Sequence, residues 1–342
     1  MKILVTGSLG YVGTSTIEYL KLKNYDVIGL DSGFYKECNL LPDNAQTLTT
    51  LKDIRDLEIT DLKDIDAVIH LAALSNDPVG ELDERLTYDI NYKAAVRAAE
   101  LAKATKVKKF IFISTQSIYG ISQSEHELAE DSSVKNPQTA YAKSKLNAER
   151  EILSMSDDYF TTTALRPSTV FGWGVRLRSD IVFNNLLLTG LTQNRIDVHS
   201  DGSPWRPVVH VNDLVKAIEI CLKIPDHVIS GHSFNIGILN GNYTVEQLAK
   251  SAQFILNQIP ISFNTEKILD PRSYKVSFKK AKEVLNFEAT TDLKSGGAEL
   301  ILESGKLIVQ DIDLLGRKTN RLSQLNFLIK ERLLDENLRF RK

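Results

Sequence analysis

The chain has 342 residues, of which 42% are hydrophobic and 25% charged, and its formal net charge is −2. That length exceeds what one hydrophobic core usually serves, so one large domain or two smaller ones is expected. The balanced charge leaves no electrostatic footprint for nucleic acid or an anionic membrane surface, the two cysteines, Cys38 and Cys221, cannot close a four-ligand zinc site, and no stretch has the roughly 18 uninterrupted apolar residues of a membrane span. With scarce cysteines and an N-terminus that carries no apolar leader, the sequence reads as cytoplasmic.

The chain opens on "KILVT" (2–6), a β-branched run, followed at once by "TGSLGYVG" (6–13) and an amphipathic stretch, "YVGTSTIEYLKLK" (11–23). Glycines at 7, 10 and 13 between a strand and a helix suit a phosphate cradle. Gly7 permits a tight turn, Gly10 lets the backbone approach phosphate, and Gly13 lets the helix pack closely on the strand. A helix N-terminus adds unpaired N–H groups and partial positive charge. The next strand, "DVIGL" (26–30), ends at Asp31. A carboxylate there accepts hydrogen bonds from both hydroxyls of an adenosine ribose and repels a 2′-phosphate, which favours NAD over NADP.

Further strands are expected at "DAVIHLA" (66–72), "KKFIFIS" (108–114) and "FTTTALR" (160–166), with a helical stretch at 83–105. His70 reads as a packed strand residue rather than a ligand. Near-continuous apolar strands alternating with helices predict an α/β fold, a Rossmann-type doubly wound parallel sheet covered on both faces. Ligands then bind at the carboxyl ends of the strands. Residues 1–166 form the dinucleotide-binding half. Past 166 the pattern loosens, and residues 167–342 read as a smaller, discontinuous C-terminal substrate lobe that returns at least one element to the first. The last stretch, 321–342, reads as an amphipathic packing helix followed by a basic end.

In "TAYAKSK" (139–145) Tyr141 and Lys145 stand four apart, on one helix face. A phenol ordinarily ionises near pH 10. A nearby ammonium and a cationic nicotinamide ring both favour the phenolate, which suits Tyr141 to proton transfer. By itself such a pair is more often surface chemistry. In "FISTQSIYG" (112–120), Ser114 and Thr115 end a strand facing the same crevice, where a hydroxyl can bond substrate or merely cap a turn.

Taken together, the glycine run, "HLAA" (70–73), "STQSIYG" and "YAKSK" resemble the extended short-chain dehydrogenase/reductase family, in its NAD-dependent nucleotide-sugar epimerase/dehydratase branch. The resemblance implies that Gly7, Gly10 and Gly13 hold the pyrophosphate of NAD and Asp31 its adenosine ribose, with Tyr11, Val12, Tyr141 and Lys145 also on the cofactor. It places Asp53 and Ile54 beside adenine. Leu71, Ala72, Ala73, Asn91 and Ser114 are further cofactor residues, and Tyr141, Lys145 and Thr115 the catalytic set. A nucleotide-diphosphate sugar is the implied partner, with Ser75, Thr115 and Thr169 in its site and Arg206 and Arg272 on its phosphates. A twofold dimer through 84–104 and 140–155 is also implied. Thr169 departs from the family's usual asparagine in "RPSTVFG".

Three reactions fit such a site. A 4,6-dehydratase uses an Asp-Glu pair directly after the threonine, but here Gln116 and Ser117 stand there, and neither titrates near neutrality. A keto-sugar reductase often favours NADPH, which Asp31 opposes. An epimerase regenerates its NAD in each cycle and is the preferred reading. A non-catalytic dinucleotide binder is a different class, one that has no need of the Tyr-Lys pair that this chain keeps.

Overall fold

The run Lys-Ile-Leu-Val-Thr becomes β1 (Lys2–Thr6), with its last four residues buried. In the computed structural model, which describes residues 1–41, 48–122, 126–264, 272–310 and 312–341, it lies at the heart of a sheet. In chain order the strands are β1, β2 (Asp26–Asp31), β3 (Thr49–Leu51), β4 (Ala67–His70), β5 (Lys109–Ile113), β6 (Thr161–Pro167), β7 (Thr169–Phe171), β8 (Ile196–Val198), β9 (Trp205–His210), β10 (His232–Ile236), β11 (Asn242–Thr244) and β12 (Ile261–Phe263). Seven of them form one parallel sheet in the order β10-β6-β5-β4-β1-β2-β3. The expected doubly wound sheet is therefore present, and β10 is an element returned to it from beyond residue 166. Strand β3 has partly exposed residues and no apolar run, so periodicity gave no sign of it.

Period-two alternation sends successive side chains to opposite faces. Leu4, Val68, Phe110 and Phe112 face one layer with Ala98, Ala148 and Ile152, from helices Ala94–Ala104 and Ala140–Ser154. Ile3, Val5, Ile69 and Ile111 face the other with Ile17, Leu20, Leu214 and Ile218, from helices Tyr11–Leu22 and Val211–Lys223. His70 is fully buried, stacks on Phe110 and Phe112, and bonds Thr6 Oγ1, as expected of a packed residue.

The helix expected at 83–105 is not continuous. It consists of Glu84–Tyr88, a π-helical turn Asp89–Lys93 and Ala94–Ala104. Such turns insert one residue and re-aim a side chain. Here the turn carries Asn91, whose amide accepts from Leu74 N–H at 2.7 Å and donates to the Leu74 carbonyl at 3.0 Å.

A third core, with Phe171, Phe183, Leu187, Val208, Leu248 and Leu300, joins the sheet β11-β9-β7 to helices Val182–Gln193, Val245–Ile255 and Leu293–Ile308. The last helix is shorter than 321–342: it spans Arg321–Lys330, and its Leu325 and Leu328 join the first core. Among the described residues no helix is long and apolar enough to cross a membrane.

Candidate active site

The carboxyl ends of β1, β2, β4, β5 and β6 open on a cavity of about 870 Å³. On its floor Gly7 turns the chain with φ +72°, and a Cβ there would lie 2.7 Å from Ala72 N. A Cβ on Gly13 would lie 2.1 Å from the Gly7 carbonyl oxygen, so the helix can pack this closely only without a side chain. The helix Tyr11–Leu22 has Gly10 as its N-cap, no capping side chain and no acid in its first turn. Its positive end stays available to an anion. Tyr11 and Val12 line the cavity beside it, and the Tyr11 hydroxyl donates to the Gly172 carbonyl at 2.7 Å.

Asp31 ends β2 in the cavity wall. Its carboxylate accepts from Leu9 N–H at 2.9 Å and Gly33 N–H at 2.7 Å, and burial raises its pKa despite those bonds. Asp53 and Ile54 line the same end. The Asp53 carboxylate is already engaged, accepting from Arg55 N–H and pairing with the Arg55 guanidinium at 2.7 Å, so its side chain is held in place rather than left open. Leu71, Ala72 and Ala73 line the wall after β4, and Ser75 accepts from Arg178 at 2.7 Å. Asn91 lies behind that wall, outside the cavity lining. It shapes the cavity through Leu74 and has neither amide atom turned inward.

At the end of β5, Thr115 takes the capping role that was one of its two readings. Its hydroxyl accepts from Ser117 N–H at 3.1 Å, capping the turn 116–119, and lines the cavity beside the Tyr141 phenol. Burial pushes Tyr141 up to about 12; the Thr115 hydroxyl pulls it down, Asp77 raises it, and Arg178 and Arg272 lower it. Lys145 is not among the groups that chiefly set the phenol. Its ammonium donates to the Ile113 carbonyl at 2.7 Å, 4.7 Å from the Phe112 ring centre, and burial brings it down to about 7. Loss of water outweighs attraction for both groups. Ser114 Oγ is buried in the lining and, among the described residues, has no hydrogen-bond partner.

Gln116 bonds the Arg166 and Ile236 carbonyls and accepts from Ser168, so it is a brace beneath the site. Across the cavity, Arg206 donates to the Arg272 carbonyl, while Arg272 pairs with Asp77 and donates to Ser117 Oγ at 2.9 Å. The two arginines, distant in sequence, thus share one wall with Thr169. Sequence reasoning assigned no role to Arg178, Asp180 and Arg321, which also line the cavity. Arg178 and Asp180 form a bidentate pair at 2.9 and 3.0 Å, which Asn76 and Ser75 join. The stretch "GVRLRSD" (174–180) signalled them only by its charge density.

A family model described as "NAD dependent epimerase/dehydratase family" matches residues 3–237. The chain belongs to that family. Within the family's range of sequences, the chain is 28% identical over 308 residues to an uncharacterized UDP-glucose epimerase, YtcB, of Bacillus subtilis, covering 86% of this chain and 95% of the relative. It is 26% identical over 312 residues to the UDP-glucose 4-epimerase of Lacticaseibacillus casei, covering 85% and 93%. Among solved structures, MoeE5 in complex with UDP-glucose and NAD superposes with a TM-score of 0.78 at 26% identity, over 90% of this chain and all of that one. The residues present suit the family's cofactor. Gly7 and Gly13 leave no room for a Cβ against the neighbouring backbone, so the turn keeps its tight course beneath the helix N-terminus, and the buried Ser114 hydroxyl in the lining has no partner among the described residues.

Proposed function

We propose that the chain is an NAD-dependent nucleotide-sugar epimerase that oxidises C4 of the sugar transiently and returns the hydrogen to the opposite face. The observation that carries this reading is that Tyr141, Thr115 and Lys145 line the one cavity that the glycine turn floors. The Gly7–Gly13 turn, Asp31 and Ser114 would hold NAD, which when bound would supply the hydride acceptor and donor. The cationic nicotinamide ring would favour the phenolate against the burial that raises Tyr141, and as phenolate Tyr141 takes the C4 hydroxyl proton and later gives it back, with Thr115 placed to orient the sugar hydroxyl. Lys145, anchored to Ile113, holds the floor on which the nicotinamide ribose would rest. Arg206 and Arg272 favour a diphosphate through planar, charge-assisted bonds.

Dehydration is disfavoured because Gln116 is engaged as a brace and Ser117 accepts from Arg272, so neither serves as an acid or base. A keto-sugar reductase is the second reading, opposed by Asp31. The names of the relatives make UDP-glucose the first substrate to test. Incubated with sugar nucleotide deuterated at C4, the enzyme should give a C4 epimer that keeps the label, without net NADH. Stoichiometric NADH consumption would make it a reductase, and bound NAD with no turnover would make it a binder.

The rest of the reading is organisational. Residues 1–166 supply most of the cofactor site and 167–342 the sugar-nucleotide arginines. Helices Ala94–Ala104 and Ala140–Ser154 carry Arg97, Glu100, Arg150 and Glu151 outward, charges of both signs that suit a twofold dimer; sedimentation as a monomer would remove that part. Both cysteines are buried and unpaired, which suits a cytoplasmic enzyme.

A further inference from the structure

A buried guanidinium in the cofactor half of the cleft lacks a carboxylate to pair it. Arg321, the first residue of helix Arg321–Lys330, is 2% exposed and lines the cavity. Its Nη1 donates to the Lys318 carbonyl at 3.2 Å and its Nη2 to the Arg176 carbonyl at 2.6 Å, and it lies 4.8 Å from the Tyr35 ring centre. Those contacts aim the group without neutralising it. Among the described residues, no carboxylate forms an ion pair with it. Asp180 is engaged by the Arg178 guanidinium and the Asn76 amide, and meets only the Arg321 backbone N–H, at 3.4 Å. Asp31 accepts from Leu9 and Gly33. Burial, with the like charge of Arg178 second, lowers the pKa of Arg321, as expected of a cation short of a counter-ion.

The neighbours of Arg321 say where that counter-ion belongs. Its guanidinium lies on Tyr35, two residues beyond the Gly33 that donates to Asp31 at the ribose end, and its backbone meets Asp180, whose partner Arg178 donates to Ser75 on the way to Tyr141. Between a ribose and a reactive ring, the anionic part of a dinucleotide is its pyrophosphate. We propose that Arg321 binds the pyrophosphate of NAD, so that the C-terminal segment completes the cofactor site. The proposal rests on the NAD reading above and adds a residue to it. A planar guanidinium matches paired phosphate oxygens, as an ammonium does not. The segment is tied to the same end of the cleft. Gln324 donates to the Phe34 carbonyl at 3.1 Å, Arg339 pairs with Asp56 and lies 3.4 Å from Asp53, and Phe340 packs on Phe34.

Calorimetric titration of the full chain, stripped of cofactor, tests this with NAD and ADP-ribose. Arg321→Met should weaken both by about tenfold to a hundredfold, the range of a charge-assisted contact. It should also flatten the dependence of log Kd on log salt, because one charge contact has gone; a purely structural role would leave that slope alone. Arg321→Lys, which keeps the charge and loses the fork, should fall between. Affinity within threefold of wild type in Arg321→Met, or weakening with an unchanged salt slope, overturns the proposal. If Arg321→Met does not fold, Arg321→Gln, whose amide still reaches a carbonyl, is judged by the same criteria; if that also fails, unchanged affinity in Arg321→Lys overturns the forked contact and weakened affinity supports it. A wild-type chain that binds no NAD overturns the epimerase reading as well, whereas NAD binding unaffected by the substitutions overturns this inference alone.

Discussion

The Lys145 ammonium donates to the carbonyl of Ile113 at 2.7 Å, which ties the helix carrying Tyr141 to the end of the central strand β5. The tie is made in a buried place, and burial brings Lys145 from 10.5 down to about 7. Between those values the unfolded chain holds a proton that the folded chain does not, so this group makes stability rise with pH. From pH 7 to 9 the gain is about 2 kcal/mol. In urea titrations of cofactor-free protein, Lys145→Met should lack that gain. The same pH dependence in both proteins would count against a depressed Lys145.

Tyr141→Phe keeps the ring and removes only the hydroxyl that shares the cavity lining with Thr115. Fold and NAD affinity should stay close to wild type while turnover falls by about 10²–10⁴, the usual share of a general acid/base. Undiminished turnover removes the tyrosine mechanism.

Thr115→Val removes the hydroxyl that caps Ser117 N–H and that lowers the Tyr141 phenol. Activity should drop less than in Tyr141→Phe, and stability should fall by about 1 kcal/mol for the lost cap. Urea midpoints with parallel assays separate the two effects; a stability equal to wild type would mean that the cap is immaterial.

Asp31 should make NAD bind at least tenfold more tightly than NADP, a difference of about 1.4 kcal/mol. Asp31→Asn retains hydrogen-bonding atoms near Leu9 and Gly33 and should narrow the gap. Because burial raises the Asp31 pKa, the preference should also narrow as pH falls and the carboxylate takes a proton. Equal affinity for both cofactors in the wild type would refute the charge argument.

Gly13→Ala would place a Cβ 2.1 Å from the Gly7 carbonyl oxygen and 2.9 Å from Ser8 Cα, both backbone atoms that cannot step aside. A loss of about 1–3 kcal/mol is expected, the cost of overpacking, with NAD affinity falling at least tenfold. Gly10→Ala, whose Cβ would meet the Gly7 oxygen at 3.1 Å, should be milder. Wild-type behaviour of Gly13→Ala would show that the turn can relax.

Local pattern determined the parallel sheet, the glycine turn and the Tyr141–Lys145 face, because strand alternation, turn chemistry and helical spacing act over a few residues. Asp31 was legible for the same reason: it directly ends a strand. The brace at Gln116 was legible only as a missing acid, since the carbonyls that it holds come from Arg166 and Ile236. Asn91 was placed at the cofactor from its position in the chain, but a π-helical turn aims its amide at Leu74. The ammonium of Lys145 was read as favouring the phenolate of Tyr141, yet burial is the largest influence on both groups, and it depends on every layer packed above them. Arg321 looked like part of a packing helix. Only the folded chain sets it beside Tyr35, within reach of the charges of Asp31 and Arg178, because a long-range contact leaves no period in a sequence.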